Sequence, residues 1–304
     1  MDKLNLLVSL ITEKNDYQLE QAASAKLAAS TIGANVQIIY ANNDAVYQTQ
    51  QILEFVQNPN KRPDGIIVEP VGTGMPRVAK AAVSAGIGWV LINANVDYLS
   101  ELRRQTSVPV FSVLCDHEGI GKIQGEQMAA LLGDQGCVLY IEGPGVGDPA
   151  RLRTKGMMST KPTNISIKTL KGNWTQESGH HVTKSCLALS TSRELHVGMI
   201  LAQNDDMAIG ARRAFEELGN MKERDHWLAL PIAGCDGVPK AGQAWVSQGR
   251  LTATIIAPPL VGNAMRMLAN SRASRSQPEE RTLVAPSPFP VLSELKSKRE
   301  IDTG

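Results

Sequence analysis

The chain has 304 residues, of which 42% are hydrophobic and only 4% aromatic, a length that favours two lobes or one large α/β unit. Its 31 Lys and Arg residues balance 30 Asp and Glu residues, and the net charge of +1 excludes an overall attraction to nucleic acid or to an anionic membrane. No apolar run approaches the roughly 20 residues that a membrane-spanning helix needs.

Strand and helix patterns alternate along the chain. LNLLVSL is an apolar strand pattern, and the Ala-rich segment after it has helical spacing and ends at Gly33. Strands that are apolar throughout are typical of a parallel sheet covered on both faces. Two successive series of such units therefore predict an α/β fold of two similar, doubly wound lobes. The first series continues with NVQIIYA, a helix over 44–57, GIIVEP, a helix over 74–85, WVLINA with a loop, and VPVFSVLCD; the second has strands CVLYIEG, NISIKTL, VGMILAQ, LPIAGCD and LTATIIA, with helices over 118–132, from 149, over 175–190, 206–218 and 239–247.

Polar and aromatic side chains collect after the carboxyl ends of these predicted strands, where open α/β sheets bind their ligands. Carboxylates and amides pair with vicinal hydroxyls, arginine offers a rigid donor fork, and an aromatic ring covers the C–H face of a sugar. The combination predicts an uncharged, hydroxyl-rich ligand and calls for no cofactor and no metal. In chain order the residues are Asn15, Asp16, Tyr17, Glu69, Asn93, Arg151, Trp174, Asn204, Asp205, Asp206 and Asp236.

Several of these residues also have a purely structural interpretation. Asp205 and Asp206 stand where a strand turns into a helix, so they are interpreted as the N-cap and first-turn acids of that helix. Asn204, one residue earlier, is open to either role. Asp236 is also compatible with a plain turn, and Trp174 with packing inside a lobe.

An enzyme is the second class of function to weigh. The three aspartates just named could act as paired acids, but the sequence does not give the separation that such chemistry needs. There is no G-x-S-x-G, H-E-x-x-H or G-x-x-x-x-G-K-[ST] motif. GPGVGDP at 143–149 follows a strand but lacks a Lys and the full phosphate-loop spacing, so it predicts a tight turn.

The four cysteines, Cys115, Cys137, Cys186 and Cys235, are far apart and form no C-x-x-C pair. We interpret them as buried structural thiols, and the sequence neither requires nor excludes disulfides.

Two motifs resemble a known family. LAQNDDMAIGARRAFEELG, followed by PIAGCDGVPKAGQAWVSQGRLTATIIAPP, resembles the signature of type I periplasmic sugar-binding proteins of the ribose-binding kind and of the effector domains of lactose-repressor-like regulators. The likeness covers nearly the whole chain in order, through VSLITEKNDYQLEQAASAKLAA and PARLRTKGM. It implies a solute receptor that closes about a hinge on a sugar or polyol in the cleft between its lobes, for ABC-type uptake or chemosensing, without a chemical step.

The resemblance also implies which residues bind the ligand. They are Asn15, Tyr17 and Asn93 from the first lobe, and Arg151, Trp174, Asn204 and Asp236 from the second. The sequence departs from the ribose binders at Gln18, Ala94 and Ala257, where those proteins carry an aromatic, an Arg and a Gln. Ribose is therefore not favoured, and the smaller side chains leave room for a larger hexose, a modified sugar, a cyclitol or a disaccharide.

In this family the chain crosses between the lobes three times, here near 114–118, 256–259 and 285–289. The implied first lobe is 1–116 plus 258–287, and the second is 117–257 plus 288–304. The charged end, LSELKSKREIDTG, is predicted to be a frayed tail rather than a helix that reaches a partner.

The compartment stays open on the sequence. MDKLNLLVSLITEKND is a strand pattern rather than a signal peptide, so the protein either stays in the cytoplasm or has lost an export signal, whereas the resemblance implies the periplasm. A lactose-repressor-like regulator needs an N-terminal helix-turn-helix, so the alternative is an intracellular sugar-sensing domain without its DNA-binding module. We expect a monomer that binds a small sugar or polyol and a membrane permease or sensor protein, and no nucleic acid.

Overall fold

The computed structural model describes residues 3–72, 75–145, 148–189 and 196–295. The chain divides into two compact units: Met1–Cys115 with Pro259–Val284, called unit 1, and Asp116–Pro258 with Ala285–Gly304, called unit 2. The resemblance implied a last crossing near 285–289, with residues up to 287 in the first lobe. In the structure the segment Ser287–Phe289 pairs with a strand of unit 2, which draws the residues after Val284 into that unit.

Unit 1 is built on a six-stranded sheet in which every neighbouring pair is parallel, in the order β11-β5-β4-β3-β1-β2. Its central strands are buried along their whole length, as expected for a sheet covered on both faces. The strands are β1 (Asn5–Leu10), β2 (Asn35–Tyr40), β3 (Gly65–Val68), β4 (Gly88–Ile92), β5 (Val110–Cys115) and β11 (Arg281–Val284); the helices are α1 (Asp16–Ile32), α2 (Ala45–Gln57), α3 (Pro76–Ser84), α4 (Tyr98–Arg104) and α11 (Val261–Ser274).

Unit 2 has a four-stranded parallel sheet in the order β7-β6-β8-β9 and a separate antiparallel pair, β10 with β12. Isolated parallel bridges join Ala233 to Ala253 and Asp236 to Ile256, so the chain beyond β9 continues to pair with the β10 segment. The strands are β6 (Gln135–Glu142), β7 (Asn164–Lys171), β8 (Val197–Ala202), β9 (Ile232–Ala233), β10 (Thr254–Ile256) and β12 (Ser287–Phe289); the helices are α5 (His117–Leu132), α6 (Asp148–Thr160), α7 (Gln176–Leu187), α8 (Asp205–Glu216), α9 (Met221–Leu228) and α10 (Ala244–Ser247).

Some elements differ from the prediction. A short helix, α4, stands where a loop was predicted after β4, and the predicted helix over 239–247 is a π-helical turn at Pro239–Gln243 followed by α10. Helix α11 was not predicted because its start carries no capping side chain of its own. Gln21 of α1 supplies the cap, since its Oε1 accepts the backbone N–H groups of Leu260 and Val261 at 2.8 and 3.0 Å.

Glycines let the helices of unit 2 pack with their backbones in contact. A Cβ on Gly121 of α5 would lie 2.0 Å from the carbonyl oxygen of Arg153 in α6, and one on Gly210 of α8 would lie 2.1 Å from that of Gln176 in α7. Because backbone atoms cannot move aside, these contacts hold α6 against α5 and α8 against the start of α7. Residues of α6, and residues at the start of α8, belong to the candidate site.

All four cysteines lie in the described part of the chain and none of them forms a disulfide: Cys115, Cys186 and Cys235 are buried and Cys137 is half-buried. Among the described residues, no helix combines the length and apolar character needed to cross a membrane. Part of the predicted turn at 143–149 and most of the predicted tail lie outside the described residues.

Candidate functional site

The start of α1 places two predicted residues at the carboxyl end of β1. Asn15 is the N-cap of the helix, and its Oδ1 accepts the backbone N–H of Gln18 at 3.2 Å. Tyr17 lies in the first helical turn, and both side chains are buried, each with 8% of its surface exposed. Both side chains are thus largely shielded from solvent at the carboxyl end of β1.

A carboxylate that follows β3 joins the predicted residues of unit 1. Glu69 is buried, and its two oxygens accept the amide N–H groups of Gln18 (Nε2 to Oε2, 2.8 Å) and Asn93 (Nδ2 to Oε1, 2.9 Å). Gln18 also accepts the backbone N–H of Ile11 at 3.1 Å. The side chain at position 18 that departs from the ribose binders thus orients a carboxylate. Glu69 stood among the strand-end residues but not in the predicted set of seven, although its place directly after a buried strand was the signal.

Three predicted residues have a left-handed backbone. The φ angles are 53° at Asn93, 62° at Trp174 and 115° at Asp236. Residues other than glycine adopt such angles rarely, and the strain concentrates at functional sites, where the surrounding structure imposes it. The backbone at these three positions is therefore held by its neighbours in each unit.

Arg153 brings two of the predicted residues of unit 2 together. Its guanidinium carbon lies 5.5 Å from the centroid of the Trp174 ring, and its Nη2 lies 3.7 Å from Oδ1 of Asp236. Its Nη1 donates to the backbone carbonyl of Gln203, and the side chain is buried. The Trp174 ring lies over Gly143, where a Cβ would come within 2.2 Å of it. This arrangement offers a charge pair beside an aromatic surface.

Arg151, the arginine that the resemblance selects, lies exposed on α6. Successive residues of an α-helix are rotated by about 100°, so two residues further along the side chain points to the opposite side. Arg153 is thus the buried arginine, and spacing alone could not identify it because both arginines lie in the same short motif. The ligand contact of Arg151 stays a prediction.

Asn204, not Asp205, is the N-cap of α8, which corrects one interpretation of the sequence. Its Oδ1 accepts the backbone N–H of Met207 at 3.0 Å, and its Nδ2 donates to the carbonyl of Trp174 at 3.0 Å. With 1% of its surface exposed, Asn204 links the starts of α7 and α8. Its ligand contact stays a prediction beside this structural role.

The two acids after the cap are both buried and both bonded. Oδ1 of Asp206 accepts Nε2 of Gln176 at 2.8 Å. Asp205 accepts the hydroxyl of Thr254 at 2.7 Å and the backbone N–H of Gly237 at 2.8 Å. Burial and then the charge of Asp236 raise the pKa of Asp205 well above its usual value, against the lowering effect of the two hydrogen bonds.

His117, the first residue of α5, is a buried titratable residue near Arg153 that the sequence analysis did not single out. It is 6% exposed, and neither ring nitrogen has a hydrogen-bond partner among the described residues. Burial and the nearby charge of Arg153 hold the pKa of its imidazole well below the usual value. A neutral ring beside a guanidinium can donate one hydrogen bond and accept one.

Comparison with known proteins matches residues 6–274 to the family described as "Periplasmic binding protein domain". The chain belongs to this family of periplasmic binding proteins. The resemblance read from the two sequence motifs is thereby confirmed, and so is the type I periplasmic binding protein fold.

Several relatives align over most of the chain. The galactofuranose-binding protein of Escherichia coli K12 is 24% identical over 301 residues, which cover 96% of this chain and 91% of that protein. The putative rhizopine-binding protein of Rhizobium meliloti is 27% identical, covering 84% and 79%. The xylitol-binding protein of Mycolicibacterium smegmatis is 29% identical over 67% of this chain and 54% of its own length.

Solved structures agree in fold. An ABC transporter periplasmic solute-binding protein of Actinobacillus succinogenes with bound D-allose superposes with a TM-score of 0.80 at 23% identity, covering 94% of this chain and 97% of that one. The Caulobacter myo-inositol-binding protein gives 0.78 at 19% identity, covering 98% and 97%.

Proposed function

We propose that this protein is a solute-binding receptor that captures a small, uncharged, hydroxyl-rich ligand, a sugar or polyol, for ABC-type uptake. The observation that carries the proposal is the cluster of Arg153, Trp174 and Asp236 at the strand ends of unit 2. A guanidinium donates to ring or hydroxyl oxygens, a carboxylate accepts from vicinal hydroxyls, and an indole covers C–H groups. The relatives named for galactofuranose and xylitol, and the structures with bound D-allose and myo-inositol, hold ligands of this chemical class.

The proposed ligand site includes the seven predicted residues together with Arg153 and with Glu69, whose carboxylate is oriented by two amides. The proposed residues come from each unit, and a ligand stabilises the conformation in which it has more binding partners. No chemical step takes place, in keeping with a family whose named members are binding proteins. Asp205 and Asp206, the acids that a hydrolase could have used, are bonded within unit 2.

Ala94 and Ala257 support a ligand larger than ribose. Ala257 is buried and Ala94 half-buried, and each replaces a longer side chain that ribose binders direct at the sugar. We assign the protein to the periplasm, as its family indicates, where it acts as a monomer that delivers its ligand to a membrane permease. Sensing is the second candidate role, favoured by the fructose-binding periplasmic domain of a hybrid two-component system, which superposes with a TM-score of 0.76 at 20% identity over 94% of this chain and 90% of that one.

The test is a thermal-shift screen of refolded, ligand-free protein against pentoses, hexoses, polyols, cyclitols, disaccharides, amino acids and nucleosides. A ligand that binds the native state raises the melting temperature by mass action. We expect a response to a neutral polyhydroxylated compound, loss of that response in Asp236→Ala, and retention in Asp225→Ala, which removes an exposed aspartate of unit 2.

Two results would contradict the proposal. One is a response confined to amino acids or nucleosides, which would leave the fold intact and overturn the ligand class. The other is a chemically altered compound recovered after incubation, which would make the protein an enzyme.

A further inference from the structure

The turn that presents Asp236 is built against the β10 strand. The backbone N–H of Asp236 donates to the carbonyl of Ile255 at 3.0 Å, and its own carbonyl accepts the N–H of Ala257 at 3.0 Å. These two bonds bracket Ile256 while the φ of Asp236 is 115°. The side chain proposed to bind ligand is therefore attached through its backbone to the strand that leads to Pro258, the last residue before the crossing into unit 1.

Asp205, the first residue of α8, makes two hydrogen bonds to the same turn and a third to β10. Its backbone N–H donates to the carbonyl of Cys235 at 2.6 Å. Its Oδ2 accepts the backbone N–H of Gly237 at 2.8 Å, and its Oδ1 accepts the hydroxyl of Thr254 at 2.7 Å. Asp205 thus bonds to the residues on both sides of Asp236 and to the first residue of β10.

The space around this carboxyl group is shaped by glycines. A Cβ on Gly234 would lie 2.2 Å from Oδ1 of Asp205, and a Cβ on Gly242 would lie 2.0 Å from Oδ2. Any larger residue at either position would displace the carboxyl group. The two glycines and the buried acid therefore form one unit of packing.

The position is costly for an acid. Asp205 is 4% exposed and lies beside the charges of Asp206 and Asp236, so burial and like charge both oppose its ionisation. An acid whose only task was to begin α8 would be stable on the surface, as Asp and Glu are in most first turns. The hydrogen bonds to Gly237 and Thr254 offset part of the cost of burying the Asp205 carboxyl group.

We propose that Asp205 is a positioning residue for Asp236: its carboxyl group fixes the turn at Cys235–Gly237 and ties that turn to β10. The inference rests on the proposed role of Asp236 in ligand binding, and the experiment below separates the two. Asp206 is the matched control because it is adjacent to Asp205 and equally buried, and its Oδ1 accepts from Gln176, a residue outside the turn.

The first measurement needs no ligand. Hydrogen exchange at the Gly237 amide reports the bond to Asp205 directly, and the Gly143 amide, bonded to the Gln203 side chain at 2.9 Å, is the internal reference. In Asp205→Ala we expect the protection of Gly237 relative to Gly143 to fall by roughly tenfold or more, because the amide loses its acceptor. In Asp206→Ala the ratio should stay as in the wild type.

The second measurement is the Kd for the tightest-binding member of a panel of D-allose, D-galactose, xylitol and myo-inositol. Asp205→Ala should raise the Kd by about tenfold or more, whereas Asp206→Ala should stay within about threefold. Asp205→Asn should restore most of the affinity, because an amide still accepts from Gly237 and donates to Thr254. Thr254→Val, which removes one of the two side-chain bonds, gives an intermediate Kd and serves if Asp205→Ala does not fold.

The outcomes separate the two proposals. Unchanged protection of Gly237 in Asp205→Ala, or an equal rise of Kd in the Asp205 and Asp206 variants, overturns the positioning role. An Asp205→Asn protein that binds as poorly as Asp205→Ala overturns it as well, because charge rather than bonding would then be decisive. If no compound binds the wild type while Gly237 still loses protection, the positioning of Asp236 stands and the proposed function fails.

Discussion

Arg151 and Arg153 show how much depends on a single residue position. The two lie two residues apart on α6, one exposed and one buried against Trp174 and Asp236. An exposed arginine can contact a ligand without contributing much to the stability of the fold. A buried arginine also neutralises the charge of a neighbouring carboxylate, so the fold depends on it. The two side chains should therefore respond differently to truncation.

Arg151→Ala should leave the free energy of unfolding within about 0.5 kcal/mol of the wild type, and Arg153→Ala should lower it by about 2 to 4 kcal/mol, because Asp236 loses its buried cation. Denaturant unfolding measures both values. Calorimetric titration of Arg151→Ala should show binding weakened by about 1 to 3 kcal/mol. If Arg151→Ala binds with full affinity, Arg151 does not contact the ligand and Arg153 is the arginine of the proposed site.

Asn204 combines a structural role with a predicted ligand contact, and a serine can separate the two. Asn204→Ala should cost about 1 to 2 kcal/mol of stability, since α8 loses its cap. Asn204→Ser should recover most of this cost, because a serine hydroxyl also caps a helix. If Asn204 also contacts the ligand, both variants bind more weakly; wild-type affinity in the serine variant would leave Asn204 as a cap alone.

At the scale of elements, α7 and α8 pack with their backbones in contact. Gly210 of α8 faces the backbone of Gln176 at the start of α7, whereas a Cβ added at Gly219, beyond the end of α8, would have nothing within 4 Å among the described residues. Of these two glycines, only Gly210 lies in the contact between α7 and α8.

Gly210→Ala should lower the free energy of unfolding by about 1 to 3 kcal/mol, because the added methyl group forces two helix backbones apart. Gly219→Ala is the control and should change stability by no more than about 0.5 kcal/mol. Denaturant unfolding of the two variants provides the comparison. Equal stability of the two variants would mean that the contact between α7 and α8 accommodates a methyl group.

At the scale of the whole molecule, the free energy of unfolding at acid pH depends on titratable groups whose pKa is lowered in the folded state. Burial and Arg153 keep the pKa of His117 well below its usual value of 6.5, so the folded state binds fewer protons than the unfolded state once the pH falls below about 6.5. The stability contributed by the neutral ring is present above that pH and is lost as the pH falls. Glu217 is exposed, and hydrogen bonds from His180 and Lys184 lower its pKa to about 2; its contribution has the same sign but acts only below its usual value of 4.5.

His117→Gln should therefore flatten the decline in the free energy of unfolding between pH 7.5 and pH 5. The difference between wild type and variant should grow by up to about 1.4 kcal/mol per pH unit below the usual histidine pKa, the limit for one proton. Urea unfolding at a series of pH values gives this difference curve, in which Asp205 and the other groups cancel. A difference curve that stays level would show that His117 takes up its proton in the folded protein as readily as in the unfolded chain.

The local sequence pattern was sufficient to predict most helices and strands and the types of residue that follow the strands. Helix α1 followed from Ala-rich spacing and a stop at Gly33, and the strand-end residues followed from apolar runs that give way to polar side chains. Helix α11 did not follow, because its cap comes from Gln21, more than two hundred residues away in the chain. The ligand contacts of the seven residues remain predictions, because spacing along the chain does not give the position of one hydroxyl relative to another.

What the sequence by itself determined is therefore the parallel α/β architecture, the family and the chemical character of the strand ends, because apolar periodicity and short motifs are local properties. Only the tertiary structure decided that Gln18 and Asn93 hold Glu69, that Arg153 rather than Arg151 is buried with Trp174 and Asp236, and that Asn204 caps α8 while Asp205 holds the turn beside it. Each of these depends on partners brought together by strand order and by helix packing, which the spacing of residues along one chain does not specify.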